Sequence, residues 1–251
     1  MPQTPRARTV AELTDPYIWT LTPPPPAGDG VCEVCHNAPG PGHSRCWSCF
    51  NTMRQVSRPV SLVVPISLYR RSGQLHHVLW GYKSLDDQAA RTELRTRVAA
   101  LLYRFFDEHR EHVEAAAGSA WDVLTTVPSS RERGGAHPLE RAINMAPPLR
   151  DSHERLLQRG EVETGHNRAS DRGFVATTGV AGTRVLLVDD TFTSGARLQS
   201  AASALALAGA TVLGALVVGR FVDPSFSDET QALWDTATER GFRFDTCCLE
   251  G

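Results

Sequence analysis

Short, mainly apolar runs alternate along the chain with longer stretches whose apolar positions recur at helical spacing. Runs of strand length lie at 61–69, 121–128, 185–188 and 211–218. A near-continuous apolar run of this length is typical of a strand buried on both faces of a parallel sheet. Pro65 removes one backbone donor from the first run, which places that strand at an edge. The pattern predicts an α/β fold in which helices flank a parallel sheet, with 185–188 as a central strand.

The segments between these runs have the spacing of amphipathic helices, with apolar residues three or four positions apart. The predicted helices cover 75–83, 87–114, 198–207 and 230–240. Asp86 or Asp87 is expected to cap the second helix, and Gly209 to end the third. Near the end of the chain, Phe242 and Phe244 alternate with Arg243 and predict a short edge strand.

Two carboxylates, Asp189 and Asp190, follow the central run where the strand is expected to end. The small residues Thr193, Ser194 and Gly195 come next, and an Ala-rich helix follows them. Ligands of open α/β sheets bind at the carboxyl ends of strands. A loop of small residues at a helix N-terminus presents free N–H groups to a phosphate. The acids would repel a phosphate but suit ribose hydroxyls, or a metal, beside it; the other interpretation is that they cap the next helix.

A second polar loop follows the predicted strand at 121–128. It contains Ser130, Arg131 and Arg133, and then two glycines. The planar fork of arginine donates two parallel hydrogen bonds to phosphate oxygens, and paired glycines let the backbone approach a ligand closely. The sequence therefore predicts a second phosphate-binding loop here. The alternative is an exposed basic turn.

Two Cys-x-x-Cys pairs separated by ten residues predict a zinc site. The four thiols are those of Cys32, Cys35, Cys46 and Cys49. Four thiolates at this spacing surround one tetrahedral Zn²⁺, and a segment this short folds only around its metal. Four protein ligands leave no open coordination position, so the zinc is expected to be structural. Two disulfides, free buried thiols, or His36 or His43 as a substitute ligand are the alternatives.

Composition and charge narrow the functional class. The 251 residues are 41% hydrophobic and 22% charged, which is ordinary for a globular protein. The net charge of −2 argues against a protein that mainly coats nucleic acid. No apolar run has the roughly 20 residues of a membrane span, and no signal peptide is evident. We therefore expect a cytoplasmic protein with no membrane partner. The adjacent Cys247 and Cys248 are interpreted as packing residues or exposed thiols.

The first 30 residues lack regular periodicity. Four consecutive prolines at 23–26 predict an extended linker, and residues 1–12 are expected to be a mostly disordered tail. The predicted organisation is a tail and linker at 1–30, a zinc-binding knuckle at 31–58, and an α/β domain with a C-terminal extension at 59–251.

The segment around the acid pair resembles the phosphoribosyl pyrophosphate (PRPP) motif of the type I phosphoribosyltransferases. That motif is an apolar strand, Asp-Asp, two variable residues and Thr-Thr/Ser-Gly. Together with the four-Cys knuckle, a helix ending in Tyr82-Lys83 and the Pro-Ser-Ser-Arg turn at 128–131, it is similar to the ComF-like phosphoribosyltransferase family. Founding members of that family are associated with DNA uptake during competence. The resemblance covers about residues 30–221.

The resemblance implies a type I phosphoribosyltransferase-like parallel sheet flanked by helices, with a small zinc-ribbon-like module before it. It implies that Asp189 and Asp190, the catalytic pair, hold the ribose 2′- and 3′-hydroxyls. The residues implied to cradle the 5′-phosphate are Thr191, Phe192, Thr193, Ser194 and Gly195. The residues implied to reach the pyrophosphate are Ser130, Arg131 and Arg133 in the second loop. The segment 159–177 lies where the family carries its mobile lid, and Arg168 and Arg172 are its candidates to reach PRPP; the alternative is a plain surface loop.

The implied reaction is Mg²⁺-dependent transfer of a phosphoribosyl group from PRPP to a nitrogen nucleophile. No general base stands out; His137 and Glu132 are weak candidates. The sequence departs from the family where Arg197 replaces a Thr and where the lid segment is short. The alternative function is a non-catalytic nucleotide-pocket protein that binds single-stranded DNA, or a competence or DNA-processing partner, through its zinc module.

Overall fold

A central parallel sheet forms the core of the computed structural model, which describes residues 8–129 and 137–250. The strands of the described residues, in chain order, are β1 Val63–Tyr69, β2 Val123–Thr126, β3 Leu157–Arg159, β4 Phe174–Ala176, β5 Arg184–Phe192 and β6 Thr211–Phe221. Four of them form the sheet in the order β1-β6-β5-β2, all parallel. The other two, β3 and β4, form an antiparallel pair. The predicted α/β architecture is confirmed, with β5 in the interior and β1 at an edge.

Helices cover both faces of the sheet. They are α1 Val10–Thr14, α2 Trp47–Met53, α3 Gln74–Ser84, α4 Gln88–Ala117, α5 Pro138–Ile143, α6 Pro147–Asp151, α7 Ala196–Leu207 and α8 Asp228–Arg240. The predicted cap of α4 is Asp87, whose Oδ1 accepts from the N–H groups of Ala89 at 2.8 Å and Ala90 at 3.0 Å. Within the described residues, no helix combines the length and apolar character needed to cross a membrane.

The alternation of β5 divides the core into two halves. Leu186 and Val188 pack with residues of α3 and α4 on one face. Val185 and Leu187 pack with residues of α7 and with the four paired cysteines on the other. Because side chains of a strand point to opposite faces in turn, the two acids that follow also diverge, one toward each half of the core.

The N-terminal segment is more regular than the sequence predicts. Thr9 caps α1 in a reciprocal arrangement with Glu12, and a 3₁₀ turn follows at Asp15–Thr20. Arg104 of α4 bonds to Thr14 and Asp15. Residues 9–12, expected to lie in a disordered tail, therefore belong to a helical segment that is held against α4 by hydrogen bonds and charge.

The predicted edge strand at 242–244 is wrong. The segment has no regular structure, because its aromatic side chains pack on a helix and its backbone pairs with no strand. Phe244 is buried, its ring meets that of Phe242 edge to face at 5.0 Å, and Arg104 lies 4.0 Å over it. Alternation of aromatic and polar residues arises here from packing against α4.

Candidate functional site

A pocket of about 250 Å³ opens at the carboxyl end of β5. Its floor is formed by Asp189, by the segment 191–195 and by the first residues of α7. Residues 164–166, between β3 and β4, also line the pocket. The sequence prediction that a site lies where this strand meets its helix is consistent with this geometry.

The acid pair lies inside the strand and not after it. β5 continues to Phe192, and Asp189 is in register with Val217 of β6. Both acids are buried, with exposed fractions of 5% for Asp189 and 3% for Asp190. The strand was expected to end at Val188. It runs on because its neighbour β6 also continues beyond the predicted boundary, so the backbone groups of both strands remain paired.

Asp190 points away from the pocket, toward the end of α3. Its Oδ2 accepts a hydrogen bond from the Tyr82 hydroxyl and forms an ion pair with Lys83. Thr191 Oγ1 donates to Oδ1 at 3.2 Å. Burial opposes ionisation, but Lys83 and the Tyr82 hydroxyl outweigh it and lower the pKa of Asp190. Neither Tyr82 nor Lys83 was singled out as a site residue, although both lie where the predicted helix ends.

Asp189 faces the pocket and has a different charge environment. Its Oδ1 accepts from the backbone N–H of Asp190 at 2.9 Å. Burial raises its pKa to about 7, and the charge of Asp190 acts in the same direction, while Arg197 opposes both. Two adjacent carboxylates therefore differ in kind: one is held as an anion by a lysine, and the other titrates near neutrality beside the cavity.

The loop between β5 and α7 takes its shape from Gly195 and Phe192. Gly195 has a φ of +78° and precedes the first residue of α7. A Cβ on Gly195 would lie 2.4 Å from Cζ of Phe192, so only glycine leaves room for that ring. The Phe192 side chain is buried beneath the loop, Ser194 is also buried, and Thr193 is exposed. The Phe192 ring therefore supports the backbone of the loop from below.

Two neighbouring segments hold the loop in place. Ser194 Oγ accepts from the backbone N–H of Asn167 at 3.0 Å, and Ser194 O accepts from the Thr52 hydroxyl at 3.3 Å. Asn51, also on α2, donates to the carbonyl of Asn167 at 3.0 Å. The helix of the zinc segment, the β3–β4 connection and the loop therefore meet at one point.

The two described arginines that were predicted to bind PRPP lie outside the pocket. Arg168 is exposed and closes a tight turn with Gly165, and Arg172 is exposed and pairs with Glu161. Neither lines the pocket. Arg197, which the sequence marked only as a departure, does line it and donates to the carbonyl of Pro128. The predicted residues Ser130, Arg131 and Arg133, and the weak candidate Glu132, lie outside the described residues.

A smaller cavity of about 140 Å³ adjoins the pocket on the β2 side. Arg197 and Thr164 line both cavities, and Ser129, Arg159 and Gly160 line the smaller one. His137 begins α5 at the same end of the sheet. Burial lowers its pKa to about 4, against the opposing charges of Asp190 and Glu140, so its imidazole is neutral at pH 7.

The four predicted zinc ligands lie together. The Sγ atoms of Cys32, Cys35, Cys46 and Cys49 all lie within 4.8 Å of one another, and all four residues are buried and free of disulfides. The buried ring of His36 bonds through Nδ1 to Pro25 O at 2.8 Å and is not part of this group. The cysteines can therefore hold one zinc ion in a closed site, as the spacing predicted.

Arg220, near the end of β6, lies beside this cysteine cluster and is itself buried. Burial opposes its charge, but the thiols of Cys35, Cys46 and Cys49 raise its pKa. No sequence pattern indicated this residue, because the cysteines beside it are far away in the sequence. A buried arginine beside buried thiolates offsets part of their negative charge.

No protein-family model matches this sequence, and comparison with curated proteins gives no match. Any inference about function therefore rests on two features of the structure. These are a parallel sheet flanked by helices, with a pocket at the carboxyl end of β5, and a buried cluster of four cysteines suited to zinc.

Proposed function

We propose that the pocket binds PRPP or a related phosphoribosyl ligand, and that the protein is phosphoribosyltransferase-like. The supporting observation is the order of groups along one wall: a buried carboxylate on a central parallel strand, a loop of small residues, and the N-terminus of a helix. This order offers hydrogen-bond acceptors to ribose hydroxyls and donors to a phosphate next to them.

The 5′-phosphate is assigned to the loop. The first backbone N–H groups of α7 have no partner within the helix, and the helix dipole adds positive potential at the same place. Thr193 is exposed at the loop and supplies a hydroxyl donor. The hydrogen bonds from Thr52 and Asn167 fix the backbone, so little entropy is lost when the phosphate is bound.

The ribose and pyrophosphate are assigned to opposite ends of the pocket. Asp189 faces the pocket and accepts from a ribose hydroxyl, while Asp190 is already engaged by Tyr82 and Lys83. Arg197 lines both cavities and supplies positive charge between them, which suits the pyrophosphate. Mg²⁺, when bound with PRPP, would offset the charge of that leaving group.

The proposed reaction is displacement at C1 of the ribose. A bond forms between C1 and a nitrogen nucleophile, and the bond from C1 to the pyrophosphate oxygen breaks, with the electron pair leaving on pyrophosphate. Positive charge develops on the ribose ring in the transition state, and the role proposed for the Asp189 carboxylate is to stabilise that charge. The loop and Arg197 would also increase the rate by holding PRPP in position.

Calorimetry with PRPP at millimolar Mg²⁺ tests the binding proposal. Saturable binding is expected, and Asp189→Asn and Arg197→Leu are each expected to weaken it by roughly tenfold to hundredfold, since each removes a charge-assisted hydrogen bond. Arg150→Leu is the matched control, because that arginine is exposed on α6 and lies outside the pocket. Absence of saturable binding by the wild-type protein would refute the proposal. Release of pyrophosphate with a supplied base or amine then distinguishes an enzyme from a binding protein.

A second candidate function is supported by aromatic residues beside the zinc cluster. Trp47 and Phe50 of α2 are 66% and 44% exposed, and their ring centroids lie 6.3 Å apart. Arg54 lies 5.0 Å over the Phe50 ring. Exposed aromatic rings with an adjacent arginine are the groups on which bases of single-stranded nucleic acid stack.

Titration with a fluorescently labelled oligothymidylate tests this second candidate. Trp47→Ala is expected to weaken binding, because stacking contributes about 1–3 kcal/mol per base. Trp80→Ala is the matched control, since Trp80 is 51% exposed on α3. Equal affinity of wild type and both variants, or no binding at all, contradicts the candidate. PRPP binding that survives Trp47→Ala would show that the two surfaces are independent.

A further inference from the structure

A second group of metal-ligating side chains is separate from the pocket and from the four paired cysteines. It consists of His109 and His112 of α4 with Cys247 and Glu250 of the C-terminal extension. One ligand atom from each residue lies within 4.8 Å of all the others. We propose that these residues form a second zinc site, which attaches the C-terminal extension to α4.

The hydrogen bonds of His109 prepare it as a ligand. Its Nε2 bonds to the carbonyl oxygen of Phe244, and a carbonyl only accepts, so the ring proton is on Nε2. The lone pair on Nδ1 is therefore available to a metal. A metal-bound histidine usually donates its other ring N–H to a carbonyl or carboxylate in this way, which fixes the tautomer and the ring orientation.

The separation of the two histidine nitrogens matches zinc. Nδ1 of His109 lies 3.3 Å from Nδ1 of His112. Two nitrogens at Zn–N distances of about 2.0–2.1 Å in a tetrahedron lie about 3.3–3.4 Å apart. The i, i+3 spacing of these residues puts both rings on one face of α4. The helix alone therefore presents two ligands of a tetrahedral site.

The C-terminal segment supplies the other two ligands with the same i, i+3 spacing. Glu250 Oε1 lies 2.9 Å from Nδ1 of His112, and Glu250 Oε2 accepts from the backbone N–H of Cys247 at 3.0 Å. Cys248 is buried in the core and anchors the segment, which holds Cys247 next to the histidines. Two imidazoles, a thiolate and a carboxylate form a set that suits zinc and not Mg²⁺ or Ca²⁺.

The zinc is assigned a structural role, because four protein ligands complete its coordination. It would join residue 112 to residue 247, two points far apart in sequence, and hold a segment that lacks regular secondary structure. The alternative arrangement of the same residues is a metal-free hydrogen-bonded cluster in which His112 pairs with Glu250.

Elemental analysis of the full chain, equilibrated with zinc and then dialysed, tests the proposal. The wild-type protein is expected to contain two zinc ions per chain, and His112→Ala and Cys247→Ser are each expected to contain one. His77→Ala is the matched control, because His77 is an exposed helical histidine elsewhere, on α3, and is expected to leave two. One zinc ion in the wild type, or two in both site variants, overturns the proposal. Circular dichroism checks that the variants are folded.

Tryptic cleavage after Arg243 gives a second readout. Zinc is expected to slow this cleavage in the wild-type protein, because the ion holds the following residues against α4. His112→Ala is expected to remove the slowing at this bond while the cysteine cluster still retains its metal. Equal zinc protection of Arg243 in wild type and His112→Ala would contradict the proposed attachment.

Discussion

Arg220 Nη1 donates a hydrogen bond to the carbonyl oxygen of Phe192 at 3.3 Å, and its guanidinium lies 5.1 Å over the Phe192 ring. The same guanidinium lies beside the cysteine cluster. With Zn²⁺ bound, four thiolates would carry a net charge of −2, and the arginine would offset half of it. One buried cation therefore links the cysteine cluster to the loop that borders the pocket.

Arg220→Met is expected to destabilise the fold by about 3–5 kcal/mol, because it leaves a buried anionic cluster without its counter-charge. Urea unfolding measures the loss. Arg243→Met is the control, since that arginine forms an exposed ion pair with Asp245 and its removal is expected to change little. Similar small effects of the two substitutions would show that the cysteine cluster does not depend on Arg220.

Cys49→Ser is expected to release the zinc of the four-Cys cluster and to lower the melting temperature, because three remaining thiolates hold the ion less tightly and the ion joins the two Cys-x-x-Cys pairs. Elemental analysis and thermal melting measure both effects. The control is His43→Ala, which changes an exposed histidine in the same segment and should retain the metal. Full zinc content in Cys49→Ser would exclude this cysteine as a ligand.

Gly195→Ala is expected to destabilise the protein and to disturb the pocket. A left-handed φ costs a non-glycine residue about 1–2 kcal/mol, and the new Cβ would also collide with the Phe192 ring. Gly179→Ala separates the two effects, because Gly179 has a φ of +85° with nothing within 4 Å of the added carbon. Unfolding free energies of both variants give the comparison. Equal losses would mean that Phe192 moves aside without cost.

Asp189→Asn is expected to stabilise the protein, and more so at high pH. The folded-state pKa of Asp189 is raised to about 7. At any pH between the unfolded-state pKa and this value, the native state therefore binds more protons than the unfolded state. Stability therefore falls as pH rises through this range. The variant lacks this loss, and its advantage over wild type should grow by about 2–3 kcal/mol between pH 5 and pH 8.

Denaturant unfolding at the two pH values measures this advantage. Asp107→Asn, on an exposed position of α4, is the matched control and should show no such growth. A stability difference between Asp189→Asn and wild type that does not change with pH would contradict the raised pKa. A stability cost at Asp189 would agree with the binding role proposed for it, because functional sites commonly cost stability.

The sequence by itself indicated the main strands, the long helices and the four-Cys cluster, because each of them leaves a local spacing pattern. The run at 185–188 indicated a buried strand, the apolar positions after Asp87 indicated α4, and the two Cys-x-x-Cys pairs indicated zinc. In each case the pattern that made the prediction lies in residues close together in the sequence. A buried strand, an amphipathic helix and a metal knuckle each leave a periodic record in the chain.

The tertiary structure decided which groups meet. Asp190 turns toward Tyr82 and Lys83 while Asp189 faces the pocket, because successive side chains of β5 enter different halves of the core. Arg220 lies beside the cysteine cluster only because β6 ends there. His109 meets Cys247 only because the C-terminal segment packs on α4 and does not join the sheet. Contacts between residues far apart in sequence depend on how the elements pack, and no local pattern records them.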